Sequence, residues 1–254
     1  MLNRRWVRPS SVSGLILKEN EVHIWLVQIN DESISPGVLE ELLSLAERDR
    51  AARFKFETDR RRYVIAHAAL RSILSIYLKI PAQELQFAAG PNGKPKLASI
   101  HAGNKFEFNL SHSHEVALVA VSQGREIGVD VEWVKEQLAF DEIAQRFFTA
   151  REVAALKALP SEHQRRTFYR CWSSKEAFLK AKGTGLSGEL DEVEILFIPE
   201  EGVRISGTIP NWTLVELNPP DGYVGAIATA GPECELKLFQ WLQPPTNPST
   251  HRHS

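Results

Sequence analysis

The sequence predicts an α+β fold made of two similar α/β halves related by pseudo-two-fold symmetry. A run with helical periodicity over 59–79 precedes strand-like segments that begin near 106. A second helical run after Ser161 likewise precedes strand-like segments that begin near 193. Both halves thus have the same rhythm, a helical region followed by β-strands, which is consistent with a pseudo-duplicated α+β architecture but does not by itself establish one. The predicted regions are an N-terminal half (1–115), a C-terminal half (116–243) and a disordered tail (244–254) rich in proline and small polar residues.

The N-terminal half begins with a predicted strand over 22–29, where apolar and β-branched residues dominate. Ser35 and Pro36 predict a helix start, with serine as the cap and proline at the first helical position. The inner face of this helix would consist of Leu39, Leu42, Leu43 and Ala46. A basic segment over 47–62 leads into the helix predicted over 59–79.

Three strands are predicted around the middle of the chain. The first has alternating apolar residues from Phe106 to Leu110 and is interrupted by the polar residues 111–114. The second covers 116–121 and the third covers 127–132. Because a turn signal at 122–124 joins the second and third strands, we expect these two to pair as a β-hairpin.

The C-terminal half is predicted to continue with helices and then strands. A short amphipathic helix over 138–148 precedes two capping boxes, Thr149 with Glu152 and Ser161 with Gln164. The long helix that follows Ser161 should end at Gly183 and Gly185. Strands are then predicted near 193–198, 203–206, 212–217, 223–229 and 235–241.

Composition argues against several classes of function. The net charge of -2 disfavours broad electrostatic binding to nucleic acid. No apolar run approaches the roughly 18 residues of a membrane span, and the N-terminus lacks the apolar core of a signal peptide. Two cysteines make no disulfide framework. We therefore expect a cytoplasmic protein.

Two short segments carry the candidate chemistry. In the strand over 127–132, Asp130 and Glu132 are two residues apart and point to the same face. In the long helix, Glu176 and Lys180 are four residues apart and also face the same way. Three converging carboxylates would suit a hard divalent cation, and the lysine would suit a phosphate. The glycine at 128 would permit a ligand to approach the backbone closely.

Taken singly, these residues have ordinary interpretations. Asp130 and Glu132 could face solvent at a strand edge, and Glu176 with Lys180 could form a surface ion pair worth only about 0.3–0.5 kcal/mol. His112 could be a structural histidine, and Lys94 an exposed loop lysine. From the residues alone, the sequence indicates a candidate metal–phosphate site and no more specific function.

Taken together and in order, five motifs resemble the 4′-phosphopantetheinyl transferases of the Sfp type. The resemblance spans about 93–186, and the flanks match only in general pattern. The motifs are Gly93-Lys94-Pro95, Phe108-Asn109-Leu110-Ser111-His112-Ser113, Gly128-Val129-Asp130-Val131-Glu132, Arg146-Phe147-Phe148 and Trp172-Ser173-Ser174-Lys175-Glu176-Ala177-Phe178-Leu179-Lys180.

The resemblance implies a reaction, a fold and a set of roles. The 4′-phosphopantetheine group of coenzyme A would move to a serine of an apo acyl or peptidyl carrier protein, releasing 3′,5′-ADP. Mg²⁺, or Mn²⁺ instead, would be held by Asp130, Glu132 and Glu176. The catalytic residues would be Glu176, Lys180 and Glu132, with either Glu176 or a metal-bound water near Glu132 taking the serine proton. The implied contacts to coenzyme A are Arg50, Arg53, Lys94, Ser111, His112, Lys175 and Lys180.

The resemblance also implies a phosphopantetheinyl transferase fold, a monomer, and no nucleic-acid or membrane partner. Leu138, Phe147 and Phe148 are candidates for carrier docking, with core packing as their alternative role. Two rival functions remain from the residues: a metal-dependent phosphohydrolase or nuclease, and a non-catalytic homologue that binds coenzyme A or a carrier.

Overall fold

The computed structural model describes residues 5–9, 11, 14–90, 93–101, 105–184, 194–198, 204–206 and 211–243. Within them, the helices are α1 (Pro36–Leu39), α2 (Leu45–Ala52), α3 (Glu57–Leu78), α4 (Phe140–Phe147), α5 (Ala150–Lys157) and α6 (Ser161–Lys182). The strands are β1 (Glu21–Gln28), β2 (Phe87–Ala89), β3 (Pro95–Leu97), β4 (Phe106–Ser113), β5 (Val116–Gln123), β6 (Ile127–Trp133), β7 (Leu196–Ile198), β8 (Arg204–Ser206), β9 (Trp212–Leu217), β10 (Tyr223–Ala230) and β11 (Glu235–Gln240).

Two sheets form the centre of the molecule. The first has the strand order β11-β1-β5-β4 and the second has the order β6-β10-β9. Neighbouring strands are antiparallel except β1 and β11, which are parallel. Short two-stranded ribbons, β2–β3 and β7–β8, accompany them. This mixed architecture confirms the predicted α+β class.

The sheets pack face to face, and each carries a 22-residue helix on its outer face. Val22, Ile24 and Leu26 of β1 pack against the second sheet, whereas Trp25 and Val27 pack towards α3. Because β1 and β5 are covered on both faces, their sequences are apolar almost throughout. The resulting order of layers is α3, first sheet, second sheet and α6.

The predicted division at 115 and 116 does not coincide with a division between the sheets. Strand β5 lies in the first sheet, and β11, near the end of the described chain, returns to it. The two halves and their pseudo-two-fold relationship stay a prediction. The predicted tail over 244–254 and Gly185 lie outside the described residues.

The predicted hairpin between the second and third middle strands is wrong. Strand β5 pairs with β1 and β4, whereas β6 pairs with β10 in the other sheet. The hairpin is instead β4–β5, and His114 in its turn has a left-handed φ of 51°. The predicted interruption after Leu110 is also wrong, because β4 continues to Ser113.

Two helix predictions also need correction. The helix at Pro36 ends at Leu39 and the chain continues as a 3₁₀ helix over Glu40–Leu42, whereas α2 starts separately at a capping box of Ser44 and Glu47. At the start of α6, Pro160 is the N-cap and Ser161 makes no capping hydrogen bond. The capping box of Thr149 and Glu152 is confirmed. None of the described helices combines the length and hydropathy needed to cross a membrane.

Candidate active site

The edge strands β4 and β6 of the two sheets are joined by side chains. Alternate side chains of β4 accept hydrogen bonds from alternate backbone N–H groups of β6, because side chains two residues apart lie on one face of a strand. The three bonds are Val129 N–H to Asn109 Oδ1 (2.9 Å), Val131 N–H to Ser111 Oγ (3.4 Å) and Trp133 N–H to Ser113 Oγ (3.0 Å). The otherwise open edge of β6 is thus satisfied.

The same serines hold the two carboxylates of β6. Ser111 Oγ donates to Asp130 Oδ1 at 2.9 Å, and Ser113 Oγ donates to Glu132 Oε2 at 3.0 Å. The carboxyl group of Asp130 is buried on the face of β6 that α6 covers. Strand β4 therefore determines both the register of β6 and the direction of its acidic side chains.

Helix α6 brings Lys180 to the same point. Its ammonium lies 2.5 Å from Asp130 Oδ1 and 2.9 Å from Ser111 Oγ. The Ser111 hydroxyl donates its one proton to Asp130 and accepts from Val131 and Lys180, so all its hydrogen-bonding capacity is used.

Gly128 allows this close approach. A Cβ at this position would lie 2.1 Å from the carbonyl oxygen of Ala177 and 2.3 Å from the backbone nitrogen of Ala181. The glycine is needed because the backbone of α6 passes there. The sequence had instead suggested that a ligand approaches the backbone at this position. One helical face of α6, carrying Glu176 and Lys180, is thereby pressed against β6.

Two carboxylate oxygens in this cluster lack a partner among the residues that the structure describes. Asp130 Oδ2 and Glu176 Oε1 are buried and make no hydrogen bond to any of them. Burial and the negative charge of Asp130 raise the pKa of Glu176. Uncompensated carboxylate oxygens are costly, and a hard divalent cation would compensate them. The donor set therefore fits such a cation.

The carboxylates do not converge as closely as the ligands of a metal-bound site would. Among the described residues, no three side chains of histidine, cysteine, aspartate or glutamate are grouped so that they could hold a metal ion. Instead, the Lys180 ammonium neutralises Asp130. Burial lowers the pKa of Lys180, but the Asp130 carboxylate outweighs it and the net change is upward. The lysine is therefore charged.

Glu132 has a strongly raised pKa. Burial, followed by the charge of Asp130, raises the pKa of this carboxyl to about 7. At neutral pH this side chain exchanges a proton readily, which suits a general base. Beside it opens a groove of about 270 Å³ lined by Lys135 and apolar or aromatic residues. The groove's other walls come from Leu138, Ile143, Phe147, Phe168, Tyr169 and Trp172.

The remaining predicted site residues lie in varied surroundings. Lys94 Nζ donates to the carbonyl oxygen of Ile127 at 2.8 Å, so it ties the loop before β3 to the start of β6. The guanidinium of Arg50 lies over the ring of Tyr63. Arg53 is the residue at the C-cap of α2. His112 is exposed and lies on the opposite face of β4 from Ser111 and Ser113.

Lys175 lies in the core. Its ammonium is fully buried, 2.9 Å from Glu152 Oε2, and lies over the ring of Phe148. Glu152 also accepts from the backbone of Thr149 and Ile195. This position does not support a contact from Lys175 to coenzyme A. Phe148 is itself buried, whereas Leu138 and Phe147 line the groove.

Sequence reasoning missed Asn109, Ser113 and Glu152. The first two were signalled by alternation, since polar residues at 109, 111 and 113 mark one face of a strand. Glu152 was recognised only as half of a capping box. Its buried partner Lys175 could not be inferred from spacing, because the pair joins two different helices.

Comparison with known proteins finds matches along most of the chain. Residues 126–228 match the 4′-phosphopantetheinyl transferase superfamily, and residues 37–124 match the family called 4′-phosphopantetheinyl transferase, N-terminal. The chain is 39% identical over 242 residues to the 4′-phosphopantetheinyl transferase HetI of Nostoc, covering 95% of this chain and 100% of that protein.

Two further relatives are more distant. A putative 4′-phosphopantetheinyl transferase of Synechocystis is 38% identical over 188 residues, which is 74% of each chain. The 4′-phosphopantetheinyl transferase Sfp of Bacillus subtilis is 31% identical over 153 residues, which is 60% of this chain and 66% of that protein. With a full-length relative at 39% identity and both halves matched, this chain belongs to the 4′-phosphopantetheinyl transferase superfamily.

Proposed function

We propose that this protein transfers the 4′-phosphopantetheine group of coenzyme A to a serine of an apo acyl or peptidyl carrier protein. The single observation that carries this proposal is the cluster of Asp130, Glu132, Glu176 and Lys180 between β6 and α6, in a chain of this superfamily. The serine oxygen would form a bond to the phosphorus that carries the pantetheine arm. The bond from that phosphorus to the bridging oxygen would break, releasing 3′,5′-ADP.

Asp130, Glu132 and Glu176 would hold Mg²⁺ or Mn²⁺. Asp130 Oδ2 and Glu176 Oε1 support this assignment, because both are buried and have no hydrogen-bond partner in the described part of the chain. When bound, the cation would neutralise negative charge on the pyrophosphate. Lys180 would then contact a phosphate oxygen and stabilise charge on the leaving side, since an ammonium acts there as a point charge.

Glu132 and Glu176 are the two candidates for the group that takes the serine proton. Glu132 borders the groove through which an acceptor serine could arrive. We therefore favour Glu132, with Glu176 as the alternative. A general base typically contributes about 10²–10⁴-fold to the rate.

The groove beside Glu132 would receive the carrier. Leu138 and Phe147 line its wall, while Lys135 contributes a positive charge. Two arginines border this region: Arg165 donates to the carbonyl oxygens of Lys135 and Leu138, and Arg146 lies over the ring of Phe147. An apolar groove with a basic margin suits an acidic, amphipathic partner surface.

Arg50, Arg53 and His112 remain the proposed contacts to the nucleotide phosphates. For Ser111 and Lys94 we propose roles in joining the sheets, because their polar atoms bond to β6 and α6. We also propose a cytoplasmic monomer of the Sfp type. The two-carboxylate arrangement of Asp130 and Glu132 supports that type.

The test is a mass spectrum of an apo carrier protein incubated with coenzyme A and Mg²⁺. We expect one serine to gain a phosphopantetheine group, and no gain when a chelator replaces the metal. The Glu176→Gln variant should lose the activity while its circular dichroism spectrum stays unchanged. Wild-type protein that leaves a panel of apo carriers unmodified but hydrolyses DNA or phosphate esters would favour the phosphohydrolase instead. Binding of coenzyme A or carrier without any transfer would indicate the non-catalytic homologue.

A further inference from the structure

One hydroxyl group anchors the end of β6 where Glu132 projects. Ser113 Oγ accepts from Trp133 N–H at 3.0 Å and donates to Glu132 Oε2 at 3.0 Å. It thus fixes the backbone that follows Glu132 and one of the two carboxylate oxygens. Because the hydroxyl proton is used on Oε2, the other oxygen, Oε1, stays available to a further ligand.

We propose that Ser113 is a positioning residue that orients Glu132 towards the cation and the acceptor serine. This inference rests on the proposed function, since it concerns how one of the three carboxylates is aimed. Ser113 itself touches neither cation nor substrate and acts through Glu132.

Glu132 depends more on Ser113 than Asp130 depends on Ser111. Asp130 Oδ1 receives a hydrogen bond from Ser111 and an ion pair from Lys180, so it keeps one anchor if the other is removed. Within the described part of the chain, the hydrogen bond from Ser113 is the one that Glu132 receives. Glutamate also has a longer and more flexible side chain than aspartate, so more rotamer freedom must be suppressed to aim it.

The arrangement has the form of the outer contacts that orient metal-binding side chains. Such contacts fix a ligand's direction without touching the metal, and their loss typically lowers metal affinity or activity by about 10–100-fold. Here the same hydroxyl also ties the carboxylate to β4 in the opposite sheet. Its loss would free both the side chain and the last residues of β6.

The experiment compares three variants of the full-length protein. Ser113→Ala removes the hydroxyl, Ser113→Thr keeps one, and Ser122→Ala is the matched control. Ser122 is a buried serine on β5 whose hydroxyl donates to the carbonyl oxygen of Arg125 at 2.6 Å. Its removal reproduces the loss of a buried serine hydroxyl away from the carboxylates. Mg²⁺ affinity is measured by calorimetry without coenzyme A, and kcat and KM for coenzyme A are measured with an apo carrier.

We expect Ser113→Ala to bind Mg²⁺ about tenfold more weakly and to lose about tenfold in kcat, with KM for coenzyme A nearly unchanged. Ser113→Thr should recover most of both losses, and Ser122→Ala should match the wild type in both. Folding of each variant is checked by its unfolding transition.

A folded Ser113→Ala protein with wild-type Mg²⁺ affinity and kcat would overturn the positioning role while leaving the proposed function in place. Equal losses in Ser113→Ala, Ser113→Thr and Ser122→Ala would also overturn it, because they would show a general effect on stability. A wild-type protein that modifies no carrier would instead overturn the proposed function, and metal affinity alone would then decide the role of Ser113.

Discussion

The half-buried Lys180 side chain places its ammonium 2.5 Å from Oδ1 of the buried Asp130, between α6 and β6. The lysine thus compensates the charge of the carboxylate when no divalent metal cation is bound. Because the ammonium and a divalent cation would place two positive charges beside one carboxylate, each should weaken the binding of the other, so they compete. Cation binding would then release Lys180 towards the phosphates, which is where the proposed reaction needs it.

The Lys180→Met variant tests this competition. Removing the ammonium leaves Asp130 uncompensated, so we expect Mg²⁺ to bind about tenfold more tightly without coenzyme A, while transfer is lost. Calorimetric titration with Mg²⁺ measures the first effect. Lys182→Met, which removes a charge from an exposed position on the same helix, is the control and should leave both unchanged. Weaker Mg²⁺ binding by Lys180→Met would show that the lysine assists the cation.

The contact of Gly128 with α6 leads to a second prediction. A methyl group there would overlap backbone atoms of Ala177 and Ala181, which cannot move without displacing the helix. We expect Gly128→Ala to lower the free energy of unfolding by about 3 kcal/mol or more and to abolish transfer. Urea unfolding measures the loss. Gly37→Ala, where a Cβ meets no atom within 4 Å, is the control and should change stability little. A stable, active Gly128→Ala protein would contradict the close packing.

The buried pair of Lys175 and Glu152 carries a third prediction. Removing one partner of a buried ion pair typically costs about 3–5 kcal/mol, because the other charge is left uncompensated. We expect that loss in urea unfolding of Lys175→Met, with coenzyme A affinity of the folded protein unchanged.

The double variant Lys175→Met with Glu152→Gln is the control for this pair. It should cost less than the sum of the single variants, since the two residues interact directly. If Lys175→Met kept full stability but lost affinity for coenzyme A, the contact implied by the family resemblance would be correct and the structural role wrong.

Periodicity predicted several of the long elements but not their partners. It located β1, α3 and β6 to within two residues, because burial on one or both faces leaves a clear pattern. It could not show that β6 leaves the sheet of β5. Alternation determines which residues face the same way, yet any strand with a compatible face can be the neighbour.

The polar run Ser111–Ser113 shows most clearly what local sequence could not predict. Its composition resembles a loop, because a strand in the core would normally carry apolar residues on both faces. Here the polar face is retained because it bonds to the free edge of β6 and to its carboxylates. Those partners lie about twenty residues away, so local sequence could not reveal them. The motif resemblance identified the carboxylates and Lys180, but not what holds them.

The raised pKa of Glu132 makes a final prediction about pH. Its pKa is about 7 in the folded protein against an ordinary 4.5, so between these values the folded state holds a proton that the unfolded chain has released. Its contribution to stability is therefore fully present below about pH 4.5 and is lost as the pH rises through 7. Since a difference of one in pKa between the folded and unfolded states corresponds to about 1.4 kcal/mol, the effect is at most about 3.5 kcal/mol.

Urea unfolding of the wild type and Glu132→Gln at pH 5 and pH 7.5 tests it. Other groups titrate in this range, so the quantity to compare is the difference between the two proteins. Relative to the wild type, Glu132→Gln should gain stability at pH 7.5 in the absence of metal, because its neutral amide has no charge to bury. Adding Mg²⁺ should reverse this order, since the cation stabilises the ionised carboxylate that the variant lacks.

Glu136→Gln, at an exposed position on the following loop, controls for the loss of one charge and should match the stability of the wild type at both pH values. An equal difference in stability between Glu132→Gln and the wild type at both pH values would show that Glu132 titrates like a surface carboxylate, which would contradict its raised pKa.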